Sequence, residues 1–188
     1  MASEQSLRRT EAMHRWVFGY GSLVWRPAFE SLEQTPCRLL GYARRFYQGS
    51  TDHRGVPGAP GRVVTLVSMP GAETVGMAYR VSQAVWSEVM ATLDHREKGG
   101  YERHEVTLEP LGGGAPRSAT VYLAGPDNPE FLGPASDEDI ARTIATRRGP
   151  SGPNDEYLLE LERWLAKMGE PDPHVSAIAD ALRSLVSP

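Results

Sequence analysis

Strand-type segments come first in this chain, a single helical segment lies in the middle, and helices come last. That order excludes a regularly alternating parallel sheet and points to an α+β domain. The apolar Trp16-Val17-Phe18 reads as a short buried strand. It breaks at once into Gly19-Tyr20-Gly21-Ser22-Leu23, where two glycines in three positions permit unusual backbone angles. Residues 36–49 read as a second strand. The stretch from Ser50 to Gly61 then holds three Gly and two Pro in twelve residues and is a long loop. Loops of that length in a compact domain serve as binding loops or lids, or are disordered. Val63–Val67 and Thr74–Val81 read as strands separated by a turn at Pro70-Gly71. Ser82 is the expected N-cap of a helix carrying Val85, Trp86, Val89, Met90 and Leu93 on one face, ended by Gly99-Gly100. Glu105–Pro110 and Ser118–Ala124 form a hairpin around Gly112-Gly113-Gly114, and residues 137–147, 154–168 and 173–186 are helical between Gly/Pro breaks. The mostly antiparallel sheet is expected to curl into a barrel.

With 188 residues the chain is expected to form one domain over 15–188, preceded by a flexible leader over 1–14. Its net charge of −4 argues against a protein whose main business is coating nucleic acid or an anionic membrane. The lone Cys37 excludes an intrachain disulfide, and no apolar run approaches the ~18 residues of a membrane span. A cytoplasmic location is the expectation.

Several chemistries fail on inspection. Gly19-x-Gly21 lacks the third glycine of a dinucleotide fingerprint, because position 24 is Val24. There is no phosphate-binding GxxxxGK[ST] run, and Ser22 lacks the flanking glycines of a nucleophile elbow. The five histidines form no HxH or HExxH pair, so no metal site is expected, and Cys37 reads as a packing residue. What remains is the glycine-rich turn and one carboxylate. Glu97 follows the amphipathic helix, where carbonyl dipoles disfavour the ionised form and raise the pKa, as suits a general base. Its neighbours Arg96 and Lys98 fit equally a solvated surface residue. The amides of Tyr20–Leu23 read either as an anion-binding nest or as a structural turn. Five arginines against Asp52 between Arg38 and Arg62 would attract a small anion or form a solvated face.

Five segments in this order resemble the ChaC-type, glutathione-specific γ-glutamylcyclotransferases. They are Trp16–Trp25, Arg44–Gly58 with its continuation to Leu66, Gly76–Arg80, Leu93–Tyr101 and Ser151–Leu158. The likeness runs over residues 16–168. It implies a γ-glutamylcyclotransferase-like α+β fold, a small mixed, mostly antiparallel β-barrel with flanking helices. It further implies cleavage of glutathione to 5-oxoproline and cysteinylglycine, in which the substrate's own α-amine attacks its γ-carbonyl. That reaction needs no cofactor, metal or protein nucleophile. The resemblance makes Glu97 the general acid/base. It assigns substrate binding to Val17, Phe18, Gly19, Tyr20, Gly21, Ser22 and Leu23; the amides of Tyr20, Gly21, Ser22 and Leu23 would hold the oxyanion, and the glycines would leave room for the substrate. Tyr157 would contact the γ-glutamyl group, and Arg54, on its closing loop, the glycyl carboxylate. The implied partner is a small-molecule substrate alone, without nucleic acid or membrane insertion, and the oligomeric state is not legible. The rival readings are a cyclotransferase for other γ-glutamyl amines or dipeptides, a non-catalytic regulator of cation transport, and a hydrolase releasing glutamate.

Overall fold

A computed structural model describes residues 14–186. The expected leader, residues 1–14, lies outside the described residues apart from His14, where the first strand begins. The barrel closes because that strand, β1 (His14–Gly19), has a partner on each side. It runs antiparallel to β3 (Gly61–Ser82), from His14 opposite Ser82 to Gly19 opposite Met77. On its other side Val17 and Phe18 lie parallel to Thr120 and Val121 of β5 (Arg117–Leu123). β2 (Glu33–Ser50) pairs with β3 and, at Cys37 and Arg38, with β4 (Glu102–Pro110), which forms a hairpin with β5. The closed order is β1-β3-β2-β4-β5, one parallel contact in an otherwise antiparallel ring. Closure removes the exposed edges that an open sheet would leave.

Two local readings change. Pro70-Gly71 does not separate two strands. Leu40 pairs with Glu73 and Tyr42 with Ser68, so Met69–Ala72 bulge out opposite Gly41 within one long, bent strand. Gly41 and Gly71 both have positive φ there, 78° and 81°, which a side chain would oppose. The middle helix, α1 (Trp86–Arg96), starts later than expected. Ser82 Oγ accepts from the Ala84 N–H, a turn bond, while Val85 occupies the cap position and is exposed. Trp86, Val89, Met90 and Leu93 are the buried face, packed on Val17, Leu23, Val81 and Tyr122.

The three C-terminal helices, α2 (Asp137–Thr146), α3 (Asn154–Met168) and α4 (Pro173–Val186), agree with the sequence to within a residue. Ser136 caps α2 by accepting from the Asp139 N–H, and Asp172 caps α4 by accepting from the N–H groups of His174 and Val175. Ile140, Ile144, Leu158, Leu161 and Ile178 extend the barrel core, in which Cys37 is fully buried. Two-residue strands β6 (Arg148–Gly149) and β7 (Gly152–Pro153) pair just before α3. No helix among the described residues is long and apolar enough to cross a membrane.

Gly76 lies where β3 crosses the end of β1. A Cβ there would meet the Gly19 carbonyl oxygen and, at 2.6 Å, the Phe18 ring. Gly76→Ala is expected to lower stability by about 1–3 kcal/mol through overpacking, read as a fall in thermal midpoint. An unchanged midpoint would mean that β1 gives way freely.

Candidate active site

Where β1 ends, the chain turns through Tyr20 and Gly21 into a single 3-10 turn, Ser22–Val24. The Val24 N–H bonds the Gly21 carbonyl at 3.0 Å, and the Arg26 N–H bonds the Ser22 carbonyl at 2.8 Å. Among the described residues, the N–H groups of Gly21, Ser22 and Leu23 meet no protein acceptor. The reason for glycine at 21 is the protein's own packing. A Cβ would sit 2.7 Å from Tyr157 Oη and 3.0 Å from Val64 Cγ2. One at Gly19 would sit 2.6 Å from Leu23 Cβ.

These residues line a pocket of about 40 Å³ between Phe18, Gly19, Tyr20, Gly21, Ser22 and Leu23 on one side and Glu97, Tyr101, Tyr122 and Tyr157 on the other. Ser22, Glu97, Tyr101 and Tyr157 also line a cleft of about 560 Å³. The small pocket therefore adjoins the larger one. Ser50 at the end of β2, Asp52, His53 and Arg54 from the β2–β3 loop, and Pro150 and Ser151 from before α3 also line the cleft.

Glu97 terminates α1, its N–H on the Leu93 carbonyl at 2.8 Å. Its carboxyl is pushed above the ordinary carboxylate range, first by burial. The nearby Arg96 and His53 oppose that rise, and Asp52 adds to it. The sequence pointed to a raised pKa from the helix end; the largest cause is loss of water. Glu97 is thus a partly buried acid with one wet side, its side chain 19% exposed.

Three tyrosines surround this carboxyl, each with its hydroxyl tied to the barrel backbone. Tyr20 Oη donates to the Tyr122 carbonyl at 2.7 Å, and Tyr101 Oη donates to the Val64 carbonyl at 2.9 Å. Tyr157 Oη accepts from the Val64 N–H at 3.4 Å. Burial pushes the Tyr157 hydroxyl up to about 12 and raises those of Tyr20 and Tyr101 well above the ordinary tyrosine value, so all three remain protonated. The Tyr157 ring is held edge-on by Trp25 and Phe46, at 5.3 and 6.0 Å between centroids.

Arg96 joins the two sides of the site. Its Nη2 donates to Ser22 Oγ at 2.7 Å, its Nη1 to the Arg26 carbonyl at 3.0 Å, and its Nε lies 3.5 Å from Glu97 Oε1. His53 anchors the loop from above, with Nε2 3.1 Å from the Arg96 carbonyl and Nδ1 3.0 Å from Ser151 Oγ. A carbonyl only accepts, so Nε2 carries a proton toward Arg96. Arg54 lines the cleft but is itself buried. Its Nη1 donates to the Pro153 carbonyl at 2.9 Å and to Glu156 Oε1 at 3.1 Å, and the guanidinium lies 5.8 Å from the Tyr157 ring centre. Arg26, also in the cleft wall, is exposed, and among the described residues its guanidinium has no protein partner.

Of the residues expected at the site, Glu97, Tyr157, Arg54 and Phe18 through Leu23 converge here. Val17 does not. It is fully buried beneath α1. Arg96, Tyr101, His53 and Arg26 were not singled out. Arg96, Tyr101 and His53 lie inside the segments that carry the family resemblance, and Arg26 directly follows one. No group of three or more His, Cys, Asp or Glu side chains among the described residues could hold a metal ion.

In fold the chain is γ-glutamylcyclotransferase-like. It superposes with a TM-score of 0.86 on the crystal structure of a glutathione-specific γ-glutamylcyclotransferase from yeast, at 30% identity and covering 92% of this chain and 96% of that one. The chain belongs to the ChaC family, described as "ChaC-like protein", whose model matches residues 15–185. It is 42% identical to γ-glutamylcyclotransferase 2-3 of Arabidopsis thaliana, over 93% of this chain and 92% of that protein. It is 44% identical to human glutathione-specific γ-glutamylcyclotransferase 1, over 91% of this chain and 79% of that one.

The opposing influences on Glu97 have a testable sign. If Glu97 is the base it must be ionised, and turnover then falls as pH drops through its raised pKa. Arg96 is the largest influence lowering that pKa. Arg96→Gln is expected to move the acid limb of kcat/KM to higher pH, with His53 and Asp52 still in place. A limb that stays put or moves down would remove Glu97 as the titrating group.

Proposed function

We propose that this protein cleaves glutathione to 5-oxoproline and cysteinylglycine by intramolecular cyclisation. The observation that carries it is the meeting, around one small pocket, of the partly buried Glu97 carboxyl with the turn residues Gly21, Ser22 and Leu23, whose N–H groups lack protein acceptors among the described residues. Membership of a family whose relatives bear this activity in their names supports the same reading.

The γ-glutamyl end enters the small pocket with Tyr157 against it, and the cysteinylglycine lies along the cleft. Held there, the α-amine attacks the γ-carbonyl. Oriented intramolecular attack is worth effective molarities of ~10⁵ M or more. The N–H groups of Gly21, Ser22 and Leu23 hold the developing oxyanion, each such donor worth roughly 2.7–4 kcal/mol. The new bond joins the α-nitrogen to the γ-carbonyl carbon, and the bond to the cysteinyl nitrogen breaks. The α-nitrogen goes from ammonium to lactam N–H and loses two protons; the departing nitrogen goes from amide to ammonium and gains two. Glu97 is the carrier between them, and its raised pKa suits both taking and returning a proton.

Purified protein given reduced glutathione is expected to release 5-oxoproline and cysteinylglycine in equal amounts. Glu97→Gln is expected to reduce turnover by ~10²–10⁴-fold. Free glutamate would mean hydrolysis, and an active Glu97→Gln would mean another base. Inert wild-type protein, tried next on γ-glutamyl dipeptides, would separate altered specificity from a binding role.

Arg54 is the residue proposed to meet the glycyl carboxylate, and Arg26, without a protein partner among the described residues, is a second candidate cation in a cleft wall that also holds Arg96. Arg54→Ala is expected to raise KM for glutathione by about tenfold, the worth of one charged hydrogen bond, and to leave KM for its glycinamide analogue unchanged. Equal effects on both substrates would confine Arg54 to its contacts with Pro153 and Glu156. The same comparison on Arg26→Ala would then show whether that cation takes the carboxylate.

A further inference from the structure

Against the glycine turn lies the most deeply buried arginine among the described residues. Arg44 on β2 is 1% exposed. Its Nε donates to the Tyr20 carbonyl at 2.9 Å, its Nη1 to Asp172 Oδ2 at 2.9 Å, and its Nη2 to the Val75 carbonyl. Burying a guanidinium costs several kcal/mol unless its donors are met, and here three different segments meet them. Asp172 is itself fixed, because it caps α4 through the N–H groups of His174 and Val175. The groove that Arg44 lines, with Glu73, Glu170, Asp172 and His174, shares no lining residue with the pocket at Glu97.

We infer that Arg44 is a positioning residue for the oxyanion site, acting through the peptide unit between Tyr20 and Gly21. In a trans peptide the C=O and the N–H point in opposite directions, and none of the described peptide bonds is cis. Holding the Tyr20 oxygen outward, toward Arg44, therefore turns the Gly21 N–H inward, toward the pocket. The clamp is needed because Gly21 has no Cβ to resist rotation of that peptide. In the flipped state a carbonyl oxygen would face the developing oxyanion and repel it. The inference rests on the cyclotransferase reading above and adds to it the residue that sets one donor.

The test uses Arg44→Lys and Asp172→Asn in the full chain, with Leu182→Ala as a control. Leu182 is buried on α4 and lines neither the pocket nor the cleft. Lysine keeps the charge for Asp172 but lacks the planar fork that serves three acceptors. Thermal midpoint, kcat, KM for glutathione and the acid limb of the pH profile are measured for each. Arg44→Lys is expected to lower kcat by ~10²-fold, the loss of one oxyanion donor, with KM nearly unchanged. The acid limb is expected to stay in place, because the groups that set Glu97 are Arg96, His53 and Asp52. Asp172→Asn, which spares both carbonyl bonds, is expected to lose less. Leu182→Ala is expected to lose stability while keeping kcat.

If Arg44→Lys keeps wild-type kcat, loses no more than Leu182→Ala at equal loss of stability, or acts through KM, the inference is wrong. If wild-type protein releases no 5-oxoproline, the functional reading falls and takes the inference with it.

Discussion

Two hydrogen bonds between one side chain and one backbone residue hold the two halves of this molecule in register. Asn154 Oδ1 accepts from the Arg62 N–H at 2.7 Å, and Asn154 Nδ2 donates to the Arg62 carbonyl at 2.8 Å. The amide thus stands in for a neighbouring strand at the start of β3, and it is fully buried. A Cβ on Gly61 would lie 2.7 Å from Asn154 Oδ1, so the close approach also depends on a missing side chain. Because Asn154 opens α3, the docking point fixes where that helix begins. Tyr157, almost one turn later, is thereby delivered to Val64 and to the bare face of Gly21.

The site is a balance of burial against charge. Water is removed from Glu97, which favours its neutral form, and Arg96 restores part of the ionised form. The encircling tyrosines are held neutral by the same burial, so they stay fixed hydrogen-bonding groups and do not compete for the proton. Arg96 also touches Ser22, so the residue that tunes the acid grips the turn that supplies the amides. Under the proposed reaction the protein contributes no nucleophile, and its task reduces to placement and proton traffic.

Local pattern was enough for the helices at 137–146, 154–168 and 173–186, because apolar spacing and Gly/Pro breaks report directly on them. It failed at Pro70-Gly71, where a dipeptide that locally spells a turn is a bulge. The deciding partner is Gly41 on the facing strand. Val85 fits the helical spacing, yet the helix starts after it, since Ser82 uses its hydroxyl in a turn. At the site, Glu97, Tyr157 and the Gly19–Leu23 turn were legible through the resemblance of whole segments. Arg44, Arg96 and Arg26 were not, in a chain rich in arginine. What distinguishes Arg44 and Arg96 is which distant carbonyl each one meets, and what distinguishes Arg26 is its place in the cleft wall; no local window of sequence contains either.

The burial of Cys37 has a consequence for a protein that would work on a thiol substrate. Its side chain is fully enclosed where β2 meets β4, and burial pushes the thiol up to about 11. Mixed disulfides form through an accessible thiolate attacking a disulfide sulfur. The only sulfhydryl of this chain offers neither access nor charge. Oxidation of the surrounding glutathione pool would therefore change the supply of substrate without covalently marking the protein.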